Sequence, residues 1–164
     1  MSILTCQPSI EINTCSIGTA AAAQCIKEAI EALQNTLTPI RSDGKNYGMS
    51  IRLDSDEEVK NLNAEFRYKD KPTNVLSFPT DDCDAWDDSE NIMYLGDIII
   101  ADGVLTQEAH EANKPIEQHL QHLIVHGILH LYGYDHILDN EADIMENAEV
   151  HVLNKLGIPN PYQP

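Results

Sequence analysis

Residues 122–136 of the chain are His-Leu-Ile-Val-His-Gly-Ile-Leu-His-Leu-Tyr-Gly-Tyr-Asp-His. His126 and His130 are four residues apart, so a helix places both imidazoles on one face, with Cβ atoms roughly 5–6 Å apart. Gly133 follows three residues later and can adopt a positive φ at no steric cost, which predicts that the helix ends there. Such a turn brings His136 back to the same point. The stretch therefore predicts a helix that carries a three-histidine metal site.

Three neutral imidazoles with an open fourth position are the ligand set of a catalytic zinc ion, with Zn–N distances of about 2.0–2.1 Å. The spacing H-x3-H-x5-H follows the metzincin pattern H-E-x-x-H-x-x-G-x-x-H. That pattern carries its general-base glutamate directly after the first histidine, where this chain has Gly127. The residues therefore predict a metal site without the base that peptide hydrolysis requires. The alternative interpretation is three unrelated histidines on a core helix.

Two neighbouring residues are weaker candidates for the chemistry. His122 lies one turn before His126 on the same face, and we interpret it as a hydrogen-bonded neighbour, with proton donor and fourth ligand as alternatives. Asp135, beside His136, is either a general base or, preferably, a carboxylate that orients an imidazole. The remaining histidines are expected on the surface: His110, His119 and His151.

Length and composition restrict the class of protein. The 164 residues suffice for one domain, residues 1–164, with a core at about 9–157 and a loose tail at 158–164. We see no signal peptide and no apolar run long enough to span a bilayer, so we expect a cytoplasmic protein that binds no membrane. Four scattered cysteines without a CxxC pair are expected to be free thiols and not metal ligands.

The net charge of −17 argues against a broad basic surface for nucleic acid. A small basic segment nevertheless exists, because three of the ten basic residues lie within five positions of one another: Arg67, Lys69 and Lys71. Taken alone, this segment is interpreted as a solvated turn. The acidic residues between Thr80 and Asn91 are expected to form an exposed loop, since the spacing and glycine of an EF-hand are absent.

Hydrophobic periodicity predicts the remaining elements. Strands are expected at 9–14, 47–53, 74–78 and 93–101, and the last is the most apolar and therefore central. Helices are expected at 19–36, from Ser55 in a capping box with Glu58, from Asp102 to about 113, from Pro115 to 132 and from about 140 to 156. This order predicts a single α+β domain, with a mixed sheet of about four strands covered on one face by helices and the metal-binding helix packed in the middle.

Residues 126–136 resemble the signature H-G-x-L-H-L-x-G-Y-D-H of the YbeY family, small zinc-dependent bacterial endoribonucleases that act in ribosomal RNA maturation. Two further segments resemble the same family. They are residues 62–79, with Leu-Asn-x-x-Phe-Arg and Pro-Thr-Asn-Val-Leu-Ser-Phe-Pro, and residues 95–98, Leu-Gly-Asp-Ile. The resemblance covers roughly residues 45–157. Asn74 stands where many members have aspartate.

The resemblance implies a single-strand-specific, metal-dependent endoribonuclease of 16S ribosomal RNA 3′-end maturation and ribosome quality control. It implies one Zn²⁺ per chain on His126, His130 and His136, and such ligands also accept nickel or another divalent ion. It further implies that Arg67 lies near the metal and is important for activity, where it would hold a phosphate bidentately. Lys69 and Lys71 are then candidates for contacts with RNA phosphates.

The expected partners are single-stranded RNA, ribosomal RNA and ribosomal particles, and no DNA binding is expected. Two alternative functions are a metalloprotease-like hydrolase, which Gly127 disfavours, and a ribosome-associated binding protein with a structural zinc. The attacking group remains open between a water molecule activated by the metal and the 2′-hydroxyl of the RNA itself.

Overall fold

The computed structural model of the chain describes residues 6–37, 46–69, 73–80, 86–87, 92–135 and 137–163. The strands in these ranges are β1 (Cys6–Ile12), β2 (Asn46–Asp54), β3 (Val75–Pro79), β4 (Trp86–Asp87) and β5 (Ile92–Ala101). The helices are α1 (Thr19–Thr36), α2 (Asp56–Arg67), α3 (Asp102–Glu111), α4 (Ile116–Leu131) and α5 (Asp139–Lys155). None of these described helices is both long and apolar enough to cross a bilayer.

The sheet is mixed and follows the order β1-β2-β5-β3, with the short β4 paired to the start of β5. The β1–β2 and β2–β5 pairs are parallel, whereas β3 runs antiparallel to β5. Parallel neighbours need a crossover connection, and α1 supplies it between β1 and β2. The mixed four-strand sheet and the central place of β5 confirm the prediction. The two-residue β4 was not predicted, and most of the acidic segment around it lies outside the described residues.

Strand β5 divides the core in two, because successive side chains of a strand point to opposite faces. Ile98 and Ile100 belong to the main core, together with residues of α1, α4 and α5. Ile99 and Ala101 instead join a smaller cluster with Val59 of α2. Helices therefore cover both faces of the sheet, and the prediction that they cover only one is wrong. Three consecutive isoleucines are what a strand buried on both faces requires.

Two predicted helix caps differ from the observed contacts. Ser55 accepts a hydrogen bond from the Glu58 amide (3.2 Å), but its own amide donates to the Asp54 carboxylate (2.7 Å), so only half of the capping box forms. Asp102 is buried at the start of α3 and accepts hydrogen bonds from the amide (3.0 Å) and hydroxyl (2.7 Å) of Ser16. Its carboxylate therefore ties α3 to the segment that follows β1 and does not cap its own helix.

Helix α4 is the central element of the main core, as the sequence predicts. It packs against α1, α3 and α5 and against strands β3 and β5. Its apolar positions Leu120, Ile124 and Ile128 are completely buried. A helix packed on so many sides holds the side chains that it presents in a fixed geometry.

The segment that follows α5 is not the loose tail that the sequence predicts. The Ile158 amide donates a hydrogen bond to the Leu153 carbonyl (2.9 Å), and the Ile158 side chain is part of the main core. Tyr162 sends its hydroxyl back to Glu149 of α5 (2.9 Å). Residues 158–163 are thus part of the packed domain, because two of their side chains find buried partners on α5.

Candidate active site

A cleft of ≈ 1040 Å³ lies among the end of α2, strand β3, and the last turns of α4 with the turn that follows. The residues that bear on the chemistry are Arg67, Ser77, His126, His130 and Asp135. Arg67 and His130 are 63 positions apart in the sequence, and the fold brings both to one concave surface. The cleft therefore joins the predicted phosphate-binding arginine to two of the predicted metal ligands.

His126 and His130 face each other one helical turn apart on α4. Their Nε2 atoms are 3.2 Å apart, and their ring centroids are 4.8 Å apart. This separation suits a hydrogen bond between the rings. It also suits a shared ion, because two nitrogen ligands at about 2.0–2.1 Å from a tetrahedral zinc are roughly 3.4 Å apart. The pair therefore fits two adjacent positions of a metal site.

The turn after α4 has the hydrogen bonds of a Schellman motif. The Tyr134 amide donates to the Leu129 carbonyl (3.0 Å), and the Gly133 amide donates to the His130 carbonyl (3.1 Å). Gly133 has φ 105°, in the left-handed region that favours glycine, so the prediction that this residue ends the helix is confirmed.

The predicted third ligand, His136, lies outside the described residues, so its place in the site stays a prediction. Within the described part of the chain, no three His, Cys, Asp or Glu side chains are grouped to hold a metal ion. Asp135 and Ile137, the two covalent neighbours of position 136, both line the cleft.

Glu149 of α5 is the residue that the sequence analysis missed. It is completely buried, and its Oε2 contacts His126 Nδ1 (3.3 Å) and accepts a hydrogen bond from the Tyr162 hydroxyl (2.9 Å). Its Oε1 pairs with Nε2 of His122. Because a carboxylate only accepts hydrogen bonds, the proton of His126 lies on Nδ1, and the lone pair of the ring lies on Nε2, the nitrogen that faces His130.

Electrostatics keep this buried carboxylate ionised. Burial alone would raise the pKa of Glu149, but the hydrogen bonds of His122 and His126 outweigh it and lower the pKa to about 2. Burial and the nearby Glu149 carboxylate raise the pKa of Tyr162, so this phenol keeps the proton that it donates. The sequence carries one signal of a special role for this residue, because the helical spacing places the charged Glu149 on the buried face of α5, between Met145 and Val152.

The other two histidines of α4, His119 and His122, do not line the cleft, and each contacts an acidic side chain. His122 pairs with Glu149 and meets the Tyr162 ring edge-on, with centroids 6.2 Å apart. These are the contacts of a hydrogen-bonded neighbour. His119 is buried and its Nε2 lies 2.7 Å from Oε2 of Glu108, so the prediction that it lies on the surface is wrong. His110 and His151 are exposed, as the sequence predicts.

Arg67, the last residue of α2, is exposed but held at the cleft. Its Nη2 donates to the Ser77 carbonyl (2.6 Å), and its guanidinium lies 5.5 Å from the centroid of the Phe78 ring. A guanidinium has five N–H donors, so this bond leaves most of them for a ligand. The Ser77 hydroxyl in turn donates to the Gly127 carbonyl (3.3 Å), which links the arginine side of the cleft to α4. Lys69 also lines the cleft, whereas Lys71 lies outside the described residues.

Gly127 faces the sheet. A Cβ at this position would lie 3.1 Å from Cγ2 of Ile98 and 3.3 Å from Oγ of Ser77, which is tighter than ordinary contact. A glutamate at this position would therefore be driven into the packed layer between α4 and β5. The geometry explains why the position of the metzincin base carries no side chain in this chain.

Known proteins are similar to this chain in sequence and in fold. The family described as Endoribonuclease YbeY matches residues 9–157. Proteins named Endoribonuclease YbeY are 47% identical over 114 residues in Francisella tularensis subsp. holarctica and 49% identical over 121 residues in Colwellia psychrerythraea. These alignments cover 70% of both chains for the first protein, and 74% of this chain and 76% of the relative for the second.

The fold also matches a solved structure. The solution structure of a protein from Thermotoga maritima has a TM-score of 0.57 and 23% identity, over 96% of this chain and 100% of that one. The family match and the relatives' names place the chain in the class of endoribonucleases, a group of hydrolases. Within that class, the chain belongs to the YbeY family, and the resemblance seen in the sequence is confirmed.

Proposed function

We propose that this chain is a zinc-dependent endoribonuclease that cleaves single-stranded RNA during ribosomal RNA maturation, with His126, His130 and His136 as metal ligands. One observation carries the proposal. A single cleft contains two imidazole Nε2 atoms 3.2 Å apart and the guanidinium of Arg67. Nitrogen ligands for a metal and a fork of donors for a phosphate are the two parts that metal-assisted phosphodiester cleavage needs.

The donor set suits zinc or a related divalent ion. Glu149 holds the proton of His126 on Nδ1, so Nε2 is the nitrogen that would ligate the ion. Asp135 and Ile137 lie at the cleft on either side of position 136, and this supports His136 as the third ligand. When bound, such an ion supplies Lewis acidity toward a phosphoryl oxygen and lowers the pKa of a water molecule. Three imidazoles would also accept nickel.

The residues of the chain bind and orient the RNA. Arg67, pinned to the Ser77 carbonyl, points its free donors at the cleft and stabilises the negative charge that grows on the phosphate in the transition state. Lys69, and Lys71 two residues later, add positive charge for neighbouring phosphates. Asp135 lines the same cleft and is placed either to accept a proton or to orient an imidazole.

Exposed aromatic rings beside Arg67 favour an unpaired strand. Phe66 is 55% exposed and Tyr68 is 92% exposed, and both flank Arg67 at the end of α2. Bases of single-stranded nucleic acid stack on such rings, and this contact is closed to bases inside a duplex. The ribosomal origin of the RNA rests on the family resemblance, and the cytoplasm is where such RNA is found.

A competition between substrates tests the proposal. Protein of measured metal content is incubated with labelled single-stranded ribosomal RNA, the same sequence as a duplex, and casein. We expect cleavage of the single strand only, abolished by a chelator and restored by Zn²⁺. We expect His130→Ala to lower the rate by about 10³-fold, because a bound metal supplies several kcal/mol of transition-state stabilisation. His110→Ala, which changes an exposed histidine on α3, is the matched control.

Three outcomes would count against the proposal. RNA cleavage that survives His130→Ala would point to a contaminating nuclease and remove the assignment of the site. Cleavage of casein would revive the protease alternative that Gly127 argues against. Tight binding of ribosomal particles by metal-loaded protein that cleaves no RNA would favour a structural zinc in a binding protein.

A further inference from the structure

A buried polar network lies behind the candidate metal ligands, at the interface of α4 and α5. Its centre is the carboxylate of Glu149, which is 0% exposed. Its members come from three places along the chain: His122 and His126 from α4, Glu149 from α5, and Tyr162 from the segment after α5. The network is built around one charge, because His122, His126 and Tyr162 each contact the Glu149 carboxylate.

We propose that Glu149 is a positioning residue for the metal ligand His126, and that the C-terminal segment holds this carboxylate in place through Tyr162. The inference rests on the proposed metal site, because it assigns a role toward a ligand of that site. It adds a residue from α5 and a residue from the tail to a site whose ligands come from residues 126–136.

Burial of a charge makes the contacts specific. A carboxylate removed from water is costly unless its oxygens are paired and hydrogen-bonded. Here Oε1 pairs with His122, while Oε2 meets both His126 Nδ1 (3.3 Å) and the Tyr162 hydroxyl (2.9 Å). The carboxylate therefore has one favourable position, which is set from both sides of the α4–α5 interface.

The position of the carboxylate decides which nitrogen of His126 faces the cleft. Because Glu149 accepts a hydrogen bond from Nδ1, the ring is held with Nε2 toward His130, 3.2 Å away. A partner that could also donate would remove the preference for that tautomer. Such outer partners of ligating histidines orient the ring and raise its basicity.

Tyr162 of the C-terminal segment completes the network. After α5 ends at Lys155, the chain turns and buries Ile158, and the Tyr162 amide donates to Asn160 Oδ1 (2.8 Å). This turn aims the Tyr162 hydroxyl inward, although the residue as a whole is 45% exposed. The same ring lies edge-on against His122, so it shields the pair of His122 and Glu149.

Metal titration of purified full-length protein tests the inference. Zn²⁺ affinity is measured by calorimetry against a competing chelator, and Co²⁺ loading is followed by its absorption spectrum. We expect Glu149→Gln to weaken affinity by about 10–100-fold, the usual effect of losing such a partner. We expect Tyr162→Phe, which keeps the ring, to cause a smaller loss in the same direction and an altered Co²⁺ spectrum.

Matched control variants distinguish the loss of the Glu149 and Tyr162 contacts from a general effect of substitution on the fold. Glu146→Gln removes an exposed carboxylate from the same helix, and Tyr94→Phe removes a hydroxyl that donates to Asp97 on β5. Both controls are expected to bind Zn²⁺ like the unmodified chain. Thermal unfolding of the metal-free proteins shows whether each variant is folded. If Glu149→Gln does not fold, the test is made with Tyr162→Phe.

A second readout does not depend on metal. In metal-free protein, the Nδ1 proton of His126 should give a slowly exchanging imidazole resonance that disappears in Glu149→Gln. Unchanged metal affinity and an unchanged resonance in both variants would overturn the inference, while the proposed function would stand. Unmodified protein that binds no metal at His126 and His130 would instead defeat the proposed function, and the resonance would still decide whether Glu149 positions the ring.

Discussion

The two walls of the cleft are built in opposite ways. On the α4 wall, His126 and His130 project from a buried helix, and a fully buried carboxylate stands behind His126. On the α2 wall, Arg67 is the exposed last residue of its helix, held by one carbonyl and one aromatic ring. Metal ligands need a fixed geometry, whereas a group that receives a long polymer needs access to solvent. We therefore expect changes on the α4 wall to affect folding or metal binding, and changes on the α2 wall to affect only RNA.

The largest effect is expected where α4 touches the sheet. Gly127→Glu forces a charged side chain between α4 and Ile98, and should lower the free energy of unfolding by on the order of 4–5 kcal/mol. The variant would have the metzincin base at the right place in its sequence and no protease activity. Urea denaturation monitored by circular dichroism measures the change.

Gly127→Ala is the control for that variant. Its Cβ would require Ile98 and Ser77 to shift by a few tenths of an ångström. The overpacking cost of about 1–3 kcal/mol is offset in part by the roughly 1 kcal/mol that alanine gains over glycine within a helix. A Gly127→Glu protein as stable as Gly127→Ala would show that this side of α4 is not packed as described.

A smaller effect is expected from the α2 wall, and it should leave the metal in place. Arg67→Ala removes the donors for the transition-state phosphate, and should lower kcat/KM for RNA by about 10²–10³-fold. Arg67→Lys keeps the charge but loses the planar fork, so it should recover only part of that loss. Zn²⁺ affinity measured on the same samples should be unchanged in both. Lys155→Ala, at the end of α5, is the matched control, and loss of zinc in Arg67→Ala would show that the two walls are not independent.

The third prediction concerns the few positive charges near the cleft. With a net charge of −17, the chain should make few phosphate contacts, so the affinity for single-stranded RNA should depend only weakly on salt. Lys69→Ala should reduce the slope of log affinity against log salt by about 0.7, the value of one single-strand phosphate contact. The measurement is filter binding of RNA to a metal-free sample at several salt concentrations. A steep slope in the unmodified chain would contradict the prediction.

The smallest effect is expected from His119, on α4 but away from the cleft. Burial lowers the pKa of His119 below its ordinary value of 6.5, although the hydrogen bond to Glu108 opposes this shift. The folded state thus keeps the ring neutral while the unfolded chain takes up a proton below pH 6.5. The contribution of this neutral ring to the free energy of unfolding is therefore complete above that pH. It is lost as the pH falls toward the pKa of His119 in the folded protein.

This dependence can be isolated by substitution. The free energy of unfolding should fall less steeply from pH 7 to pH 5 in His119→Gln than in the unmodified chain. The two slopes should differ by no more than about 1.4 kcal/mol per pH unit, the limit for one proton. His110→Gln changes an exposed histidine and should follow the unmodified chain. Parallel plots of the free energy of unfolding against pH for all three proteins would show that burial does not lower the pKa of His119.

Local rules predicted much of the fold from the sequence. The spacing of His126 and His130 and the glycine at 133 predicted the helix, the face that carries both imidazoles and the end of the helix, because these features depend on residues within one or two turns. The isoleucine run in β5 predicted a central strand for the same reason. The capping interaction at Ser55 was predicted only in part, since the neighbouring Asp54 competes for the same amide.

Features that depend on distant partners were missed. Glu149 takes its role from His122 and His126, which are 27 and 23 residues earlier, and no local pattern pairs them. Tyr162 lies in a proline-rich tail that reads as loose, and only the packed structure shows the acceptor that fixes it. His119 was predicted on the surface and Asp102 as a helix cap, because their partners, Glu108 and Ser16, come from other elements of the chain.

The isoleucine run of β5 also bears on how the chain is made. Ile98 and Ile100 pack in a core to which α4 and α5 contribute, and both helices are synthesised after the strand. A nascent chain that has not yet reached residue 116 therefore leaves one side of its most apolar, β-branched segment without its final cover. Such segments self-associate readily when left uncovered. Truncated products that stop short of α4 are consequently the forms of this protein most prone to aggregate and to recruit chaperones.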